Sequence, residues 1–473
     1  MAPDGKRGRV CVDTASEPVN NNKQGESTSS EDSYFSEDDM DENKEKIDRI
    51  STLPDLVILV ILSFLKIGDV VATSILSTRW RYLWKYVPGL DFSYCRKGMD
   101  VVDKVLFSRD ANSNITKFRL YCDSKWDGSR VNAWISAVVM HKLEELTLTI
   151  HIKEPSILPP PIFLCKSLTV LKLLYDGVIR LPSSISFPSL KILELESLHF
   201  TDGYLTENFS SCPLLEELTI SNCRWANILS KILISNPALK RLEIYGFTHR
   251  AGNIDYLEIN APKLVHLSLM GTFIPKVCSL FEMTSLDFAE VFFSQHYQDK
   301  PKEEIGLIAG NLLGALCHVK SLRISAQILS HAKDLSTHLP EFGKLRRLEV
   351  DKYSSYIFTG SLLLLLRISP RLLYVSFKGN RPHYGKVPDK DWESDTVAKT
   401  SLLHLKKVEY WEFVGHPVEL ELVQFLLENS TVLEEITLRV VWDLECRQEK
   451  KCRVLEQLLR MPRGPNRCII NMK

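Results

Sequence analysis

The chain has 473 residues, 44% hydrophobic and 25% charged, the profile of a folded, water-facing protein rather than a disordered one. Its 59 Lys and Arg balance 59 Asp and Glu, so no global field draws it to nucleic acid or to anionic lipid. Single compact cores stop growing well before this size, so the length suits about two to four domains or one elongated repeat array.

Residues 1 to about 46 are rich in Asn, Ser, Asp, Glu and Lys and hold almost nothing to bury. Ordering them would cost backbone entropy with little return, which predicts a disordered acidic tail. Within it Ser36 is followed by Glu37, Asp38 and Asp39, the setting that acid-directed kinases favour, and a plain solvated charge run is the simpler reading. Lys6, Arg7 and Arg9 make a weak basic import signal, and no apolar core of a secretory leader precedes the tail. The expected location is cytoplasm, nucleus or both.

From Ile50 the pattern changes to three short apolar segments. "LPDLVILVILSFL", Leu53 to Leu65, is broken by Lys66, Gly68 and Asp69, and a membrane-spanning helix needs about 20 apolar residues, so this stretch is too short to cross. Pro54 and Asp55 suit the first turn of a helix, where a missing N–H costs nothing and a carboxylate meets the positive dipole end. Gly68 and Asp69 read as stop and restart, which makes "VVATSILS" a second helix. Ser77 or Thr78 caps a third, in which Trp80, Leu83, Trp84 and Val87 share one face, and Pro88 with Gly89 ends it. Three helices in about forty residues cannot internalise this much aliphatic and aromatic surface, so something else must cover the rest.

Beyond Ile115 the chain repeats. The unit is L-x-x-L-x-L, as in "LEELTL", "LTVLKL", "LKILEL", "LEELTI", "LKRLEI" and "LVHLSL", and the first residues 115, 143, 168, 190, 215, 239 and 264 recur at steps of 22 to 28. Further matches start at 283, 319, 345, 372, 405 and 433. An L-x-L core alternates with period two, as a strand with one buried face must, and the intervening residues return the chain to begin the neighbouring strand. Pro188, Pro213, Pro237 and Pro262 mark the ends of return segments. The fold class is therefore α/β: N-terminal helices, then a curved, irregular solenoid with a parallel sheet on its concave face. The leucines are core, and recognition falls to the x positions, among them Glu194, Glu243, His266, Arg346 and Arg347.

Two family resemblances rest on these residues. Residues 48 to about 92, with "LP", "ILSFL", "DVVATS", "LS" followed by Trp, and "LW", resemble a plant F-box. Residues 402 to 438, a strand, the "ELELVQFLLENS" helix with Leu420, Val423, Leu426 and Leu427, and a second strand, resemble the FBD region that follows leucine-rich repeats in plant F-box proteins. The F-box pattern departs at Leu56, usually acidic, and at "KIG" before "DVV". The resemblance implies a substrate receptor of an SCF-type cullin–RING ubiquitin ligase, with a Skp-family adaptor bridging to cullin and an unidentified target protein on the repeats. Carried over residue by residue, the adaptor contacts are Leu53, Pro54, Ile61, Leu62, Leu65, Val70, Leu76, Trp80 and Trp84, some of which serve the helical core instead. The expected domains are a tail at 1–46, an F-box at 47–92, repeats at 110–400, an FBD region at 401–440 and a C-terminal cap at 441–473.

No H-E-x-x-H, phosphate loop, G-x-S-x-G or Rossmann fingerprint occurs, so no enzyme, metal or cofactor site is expected. The 11 cysteines are scattered singly and read as reduced thiols, and Cys317 beside His318 reads as structure. Two alternatives remain: a repeat scaffold outside any ligase, favoured by Leu56 and "KIG", and a receptor for a small polyanion, which requires Lys and Arg converging in the concavity.

Overall fold

The computed structural model describes residues 50 and 52–473, apart from 94–97, 111–112, 153–157, 180–185, 201–210, 226–230, 248–255, 272–274, 276, 282, 294–301, 332–338, 352–359, 379–401, 442–447 and 463–467. The expected tail, with Ser36 and the basic trio, lies outside the described residues. The chain divides into two units, Met1–Leu53 and Pro54–Lys473. In the first, the Leu53 amide donates to the Ile50 carbonyl at 3.2 Å. The rest of the fold is the second unit.

It opens with α1, Asp55–Ser63, α2, Ile67–Ala72, and α3, Trp80–Leu83. The second helix begins earlier than "VVATSILS" suggests: Lys66 is its N-cap, Gly68 and Asp69 lie inside it, and Thr73–Ile75 form only a tight helical turn. Gly68 has nothing within 4 Å of where a Cβ would sit, so its flexibility is tolerated there rather than used to break the helix. The N-cap of α3 is Arg79, with no side-chain cap bond, rather than Ser77 or Thr78; Ser77 instead accepts from the Trp80 amide on Oγ at 3.4 Å and from the Arg81 amide on its carbonyl at 3.1 Å, one turn ahead of the helix.

Fifteen strands of the described chain form one parallel sheet, each pairing with the preceding strand of that sheet, from Gly89–Phe92 to Ile469–Met472. Each strand start is fixed in the same way. The carbonyl of the residue after the first leucine accepts from two successive amides of the next strand: Thr116 O from Glu144 and Glu145, Glu144 O from Thr169 and Val170, and so on to Lys406 O from Glu434 and Glu435. The leucines alternate inward, as in Glu145–Ile150, where Leu146, Leu148 and Ile150 are buried and Glu145, Thr147 and Thr149 face out. Pro188, Pro213 and Pro262 each sit second in a turn closed three residues on: the Leu190 amide bonds Phe187 O, Leu215 bonds Cys212 O, and Leu264 bonds Ala261 O. At Pro237 the Ala238 amide bonds Asn236 Oδ1 at 2.9 Å.

One repeat is out of frame. His266 pairs with Phe288, so the unit begins at Leu286 and reads "LDFAEV", not at Met283. Met283 instead holds the turn position that Phe187, Cys212 and Ala261 hold elsewhere, with its carbonyl accepting from Leu286 at 3.2 Å. Two strands of this sheet escaped the repeat pattern: Gly89–Phe92, taken above as the end of the third helix, and Ile469–Met472 at the far edge. So did the strands of two three-stranded parallel sheets, Val178–Ile179, His199–Phe200 and Arg224–Trp225, and Lys231–Ser235, Tyr256–Asn260 and Val277–Phe281.

A second regularity appears where the chain leaves the sheet. Ser197, Asn222, Gly246 and Glu412 all have positive φ, at 61°, 51°, 79° and 55°, and all stand seven residues after their repeat's first leucine. The left-handed residue kinks the strand and turns the next one inward, which buries Leu198, Cys223 and Phe413. A Cβ on Gly246 would collide with the Asn222 side chain, so this repeat has glycine.

At the C-terminal end, strand Lys407–Phe413, helix Pro417–Asn429 and strand Glu435–Val440 follow in the expected order, and Leu420, Val423, Leu426 and Leu427 are all buried. Gly415, at φ 70°, joins the first two, and a Cβ there would stand 2.5 Å from Val454 Cγ2 of the helix Gln448–Arg460. Gly415→Ala is therefore expected to cost about 2 kcal/mol, from combined backbone strain and overpacking, read as a lower urea-unfolding midpoint.

Candidate functional site

Helix α1 carries aliphatic residues on every side, although a surface helix of a globular protein ordinarily joins one apolar stripe to a polar face. Ile58 and Leu62, both 0% exposed, fill its inward side. Leu56, Val60 and Phe64, spaced four apart and so aligned along the helix, are 77%, 57% and 84% exposed. Ile75 and Leu76 extend this exposed set from the turn after α2, and Tyr82 and Tyr86 from α3 and the turn beyond it. The scaffold beneath is closed: Val70, Trp80, Leu83 and Val87 are buried, and the Arg79 guanidinium pairs with Asp55 at 2.5 Å. Covering one such side chain is worth about 1.5–3 kcal/mol, so several together can drive a stable docking.

The open face of the sheet has a different chemistry. Cross-strand pairs of opposite charge line it, including Lys117 with Glu145, Lys172 with Glu194 and Lys407 with Glu435. In its middle the pairs merge. Arg323 reaches Glu290 at 2.8 Å and Asp351 at 3.6 Å, while Glu349 takes Arg347 at 2.8 Å and Lys378 at 2.7 Å. Burial raises the Asp351 carboxyl above its ordinary pKa; burial acts on Glu349 too, but the bonds from Lys378 and Arg347 outweigh it and hold that carboxyl low. The Arg347 guanidinium lies 4.1 Å over the Tyr374 ring, and His266, its pKa lowered by burial, stacks on Phe288 at 4.5 Å. Burial pushes the thiols of Cys122, Cys223 and Cys278 up to about 12, which keeps these three protonated and unreactive.

Residues 50–91 match the F-box domain model, and residues 111–463 match the model described as At1g61320/AtMIF1, LRR domain. Among curated relatives from Arabidopsis thaliana, FBD-associated F-box protein At1g66310 is 30% identical over 450 residues, covering 90% of this chain and 96% of that protein. FBD-associated F-box protein At4g13985 is 29% identical over 452 residues, with the same coverages of 90% and 96%. F-box/FBD/LRR-repeat protein At1g78750 is 29% identical over 470 residues, covering 89% and 96%. The chain belongs to the F-box/FBD/leucine-rich-repeat family.

Within the F-box, the nine residues singled out from sequence sort into two groups. Leu62, Val70 and Trp80 are buried at 0%, 0% and 5% exposure, and they hold the helices together rather than face a partner. Pro54, Ile61, Leu65 and Leu76 are exposed, Trp84 is half-buried, and Leu53, in the preceding unit, is half-buried too. Sequence reasoning did not choose Leu56, Phe64 and Ile75, which are more exposed than the chosen Ile61, Leu65 and Leu76, nor Val60, which is more exposed than Ile61 and Leu65. The missed signal was in α1 itself: once Ile58 and Leu62 face inward, residues 56, 60 and 64 must face out. Leu56, which departs from the usual F-box acid, adds to the apolar set.

Proposed function

We propose that this F-box protein is the substrate-recognition subunit of an SCF-type cullin–RING ubiquitin ligase, its F-box docking a Skp-family adaptor and through it cullin, its repeats holding a target protein. Residues 47–92 dock, 110–400 carry the target, 401–440 close the solenoid and 441–473 cap it. The observation that carries this reading is the exposed row Leu56, Val60 and Phe64 on α1, with Ile75 also exposed in the turn after α2, over a closed scaffold. Catalysis needs no titratable constellation in such a subunit; it holds the target near a ubiquitin-charged enzyme and raises its effective concentration, in cytoplasm or nucleus.

Co-expression with a plant Skp-family adaptor tests the reading. The expected result is a stoichiometric complex that elutes as one peak and recruits cullin when it is added. A chain that is soluble and monodisperse without the adaptor, and does not bind it when mixed, is a repeat scaffold and not a ligase subunit.

A further inference from the structure

We infer that the open face from the Arg241–Phe247 strand to the Tyr374–Lys378 strand receives an extended acidic segment of a target protein, with a bulky apolar side chain over Tyr245, Met270 and Phe292 and carboxylates over Arg323, Arg347 and Lys378. This inference rests on the reading that the repeats hold a target.

Tyr245, Met270 and Phe292 are direct neighbours on three successive strands and are all half-exposed, which makes a short apolar strip. The strip ends at the fourth strand, where Ser325 is 0% exposed and accepts from the Phe293 amide. Charge takes over there, and it is layered. Glu290, Glu349 and Asp351 are only 12%, 12% and 15% exposed, whereas Arg323, Arg347 and Lys378 are 37%, 48% and 32% exposed. An approaching group therefore meets the cations first, with the carboxylates fixing them from beneath. Stacking of Arg347 on Tyr374 leaves the edge of the guanidinium as its bonding surface, and that fork matches a carboxylate.

The layering also decides against a small polyanion. Three cations over three carboxylates sum to no net charge, so the long-range field draws neither a free phosphate nor a peptide strongly, and the apolar strip beside the cations gives an anchored chain a contact that a free phosphate lacks. Strands stand about 4.8 Å apart and an extended chain advances about 3.3 Å per residue, so crossing from the Phe288–Phe293 strand to the Tyr374–Lys378 strand takes about four residues. The segment has Asp or Glu two to four residues from its apolar anchor.

The probe is an array of twelve-residue peptides in a Ser/Gly background, each with one Leu or Phe and, two to four residues on, either an Asp pair or a Lys pair, exposed to the full chain purified with its adaptor. Asp peptides should bind about ten-fold more tightly than Lys peptides. The preference should fall to the share of Arg323 alone, about two-fold, in Arg347→Gln/Lys378→Gln, and also in Arg347→Gln/Glu349→Gln/Lys378→Gln, which removes the shared carboxylate with its cations and leaves no unpaired buried charge. Equal binding of both peptide sets, or an Asp preference undiminished in a folded triple variant, overturns the inference. If the adaptor co-purifies and charge preference is absent, the inference falls alone; if charge preference is present and the adaptor is never bound, the ligase reading falls and this site stands.

Discussion

The double variant Phe64→Asp/Ile75→Asp should lose the Skp-family adaptor, its affinity falling a hundredfold or more, while its melting temperature stays within a few degrees of wild type. Both side chains are almost wholly in water, at 84% and 86% exposure, so the substitutions remove little from the fold itself. Each apolar group covered on docking is worth about 1.5–3 kcal/mol, and two lost together correspond to two or more powers of ten in affinity before the cost of burying a carboxylate is counted. Leu62→Ala is the contrasting control: at 0% exposure it leaves a cavity, and it should lower stability by about 2–5 kcal/mol whether or not the adaptor is present. Interferometry against immobilised adaptor, paired with thermal melts of each variant, separates the two effects. Unimpaired binding by the double variant would sink the assignment of this face.

Glu419→Ala should be the most damaging substitution in the FBD region, lowering stability by about 3–6 kcal/mol. Glu419, 8% exposed, accepts from the Tyr410 hydroxyl at 3.1 Å on one oxygen and from the Val414 and His416 amides, both at 3.0 Å, on the other. The His416 bond is half of a capping box, in which the Val418 amide also donates to His416 Nδ1. Removing the carboxylate takes the acceptor from three hydrogen bonds, of which those from the Tyr410 hydroxyl and the Val414 amide are buried, at about 1–3 kcal/mol each. Tyr410→Phe, which deletes one donor and leaves the carboxylate two partners, should cost about 1 kcal/mol. Urea unfolding followed by tryptophan fluorescence gives both numbers, and equal midpoints for Glu419→Ala and Tyr410→Phe would show that the carboxylate does not organise the bend.

How legible this was depended on which physical signal each element carried. Strand register follows from leucine periodicity, because a slip by one residue would turn the buried set to solvent, and the repeats from Ile115 to Leu264 were readable for that reason. The slip at Met283 arose because a buried turn residue and a strand leucine are both apolar, and only the proline that marks the turn elsewhere, absent from "MTSL", would have told them apart. Gly89–Phe92 and Ile469–Met472 were invisible as repeats because terminal strands need one covered edge fewer and keep fewer leucines. On the F-box the existence of an uncovered face was legible from its surplus of apolar residues, but its membership was not. Leu62 and Phe64 are equally apolar in sequence, and two residues of helix rotation decide which one meets water. The charge layering on the open face was beyond sequence altogether, since "RRLEVD" lists cations and carboxylates without saying which stand above.

The short strand Gly89–Phe92 follows the F-box helices directly and is hydrogen-bonded into the same sheet as every later repeat. Among the described residues the backbone therefore passes from the F-box helices straight into the sheet that carries the open face proposed for a target. Nine strand steps, on the order of 40 Å along the sheet, separate Gly89–Phe92 from Ser321–Ser325. On the proposed ligase reading the array would work as a ruler: lysines of a bound target would be presented at a set reach from the cullin arm, and adding or removing one repeat upstream of Ser321 would shift that reach by a single strand spacing.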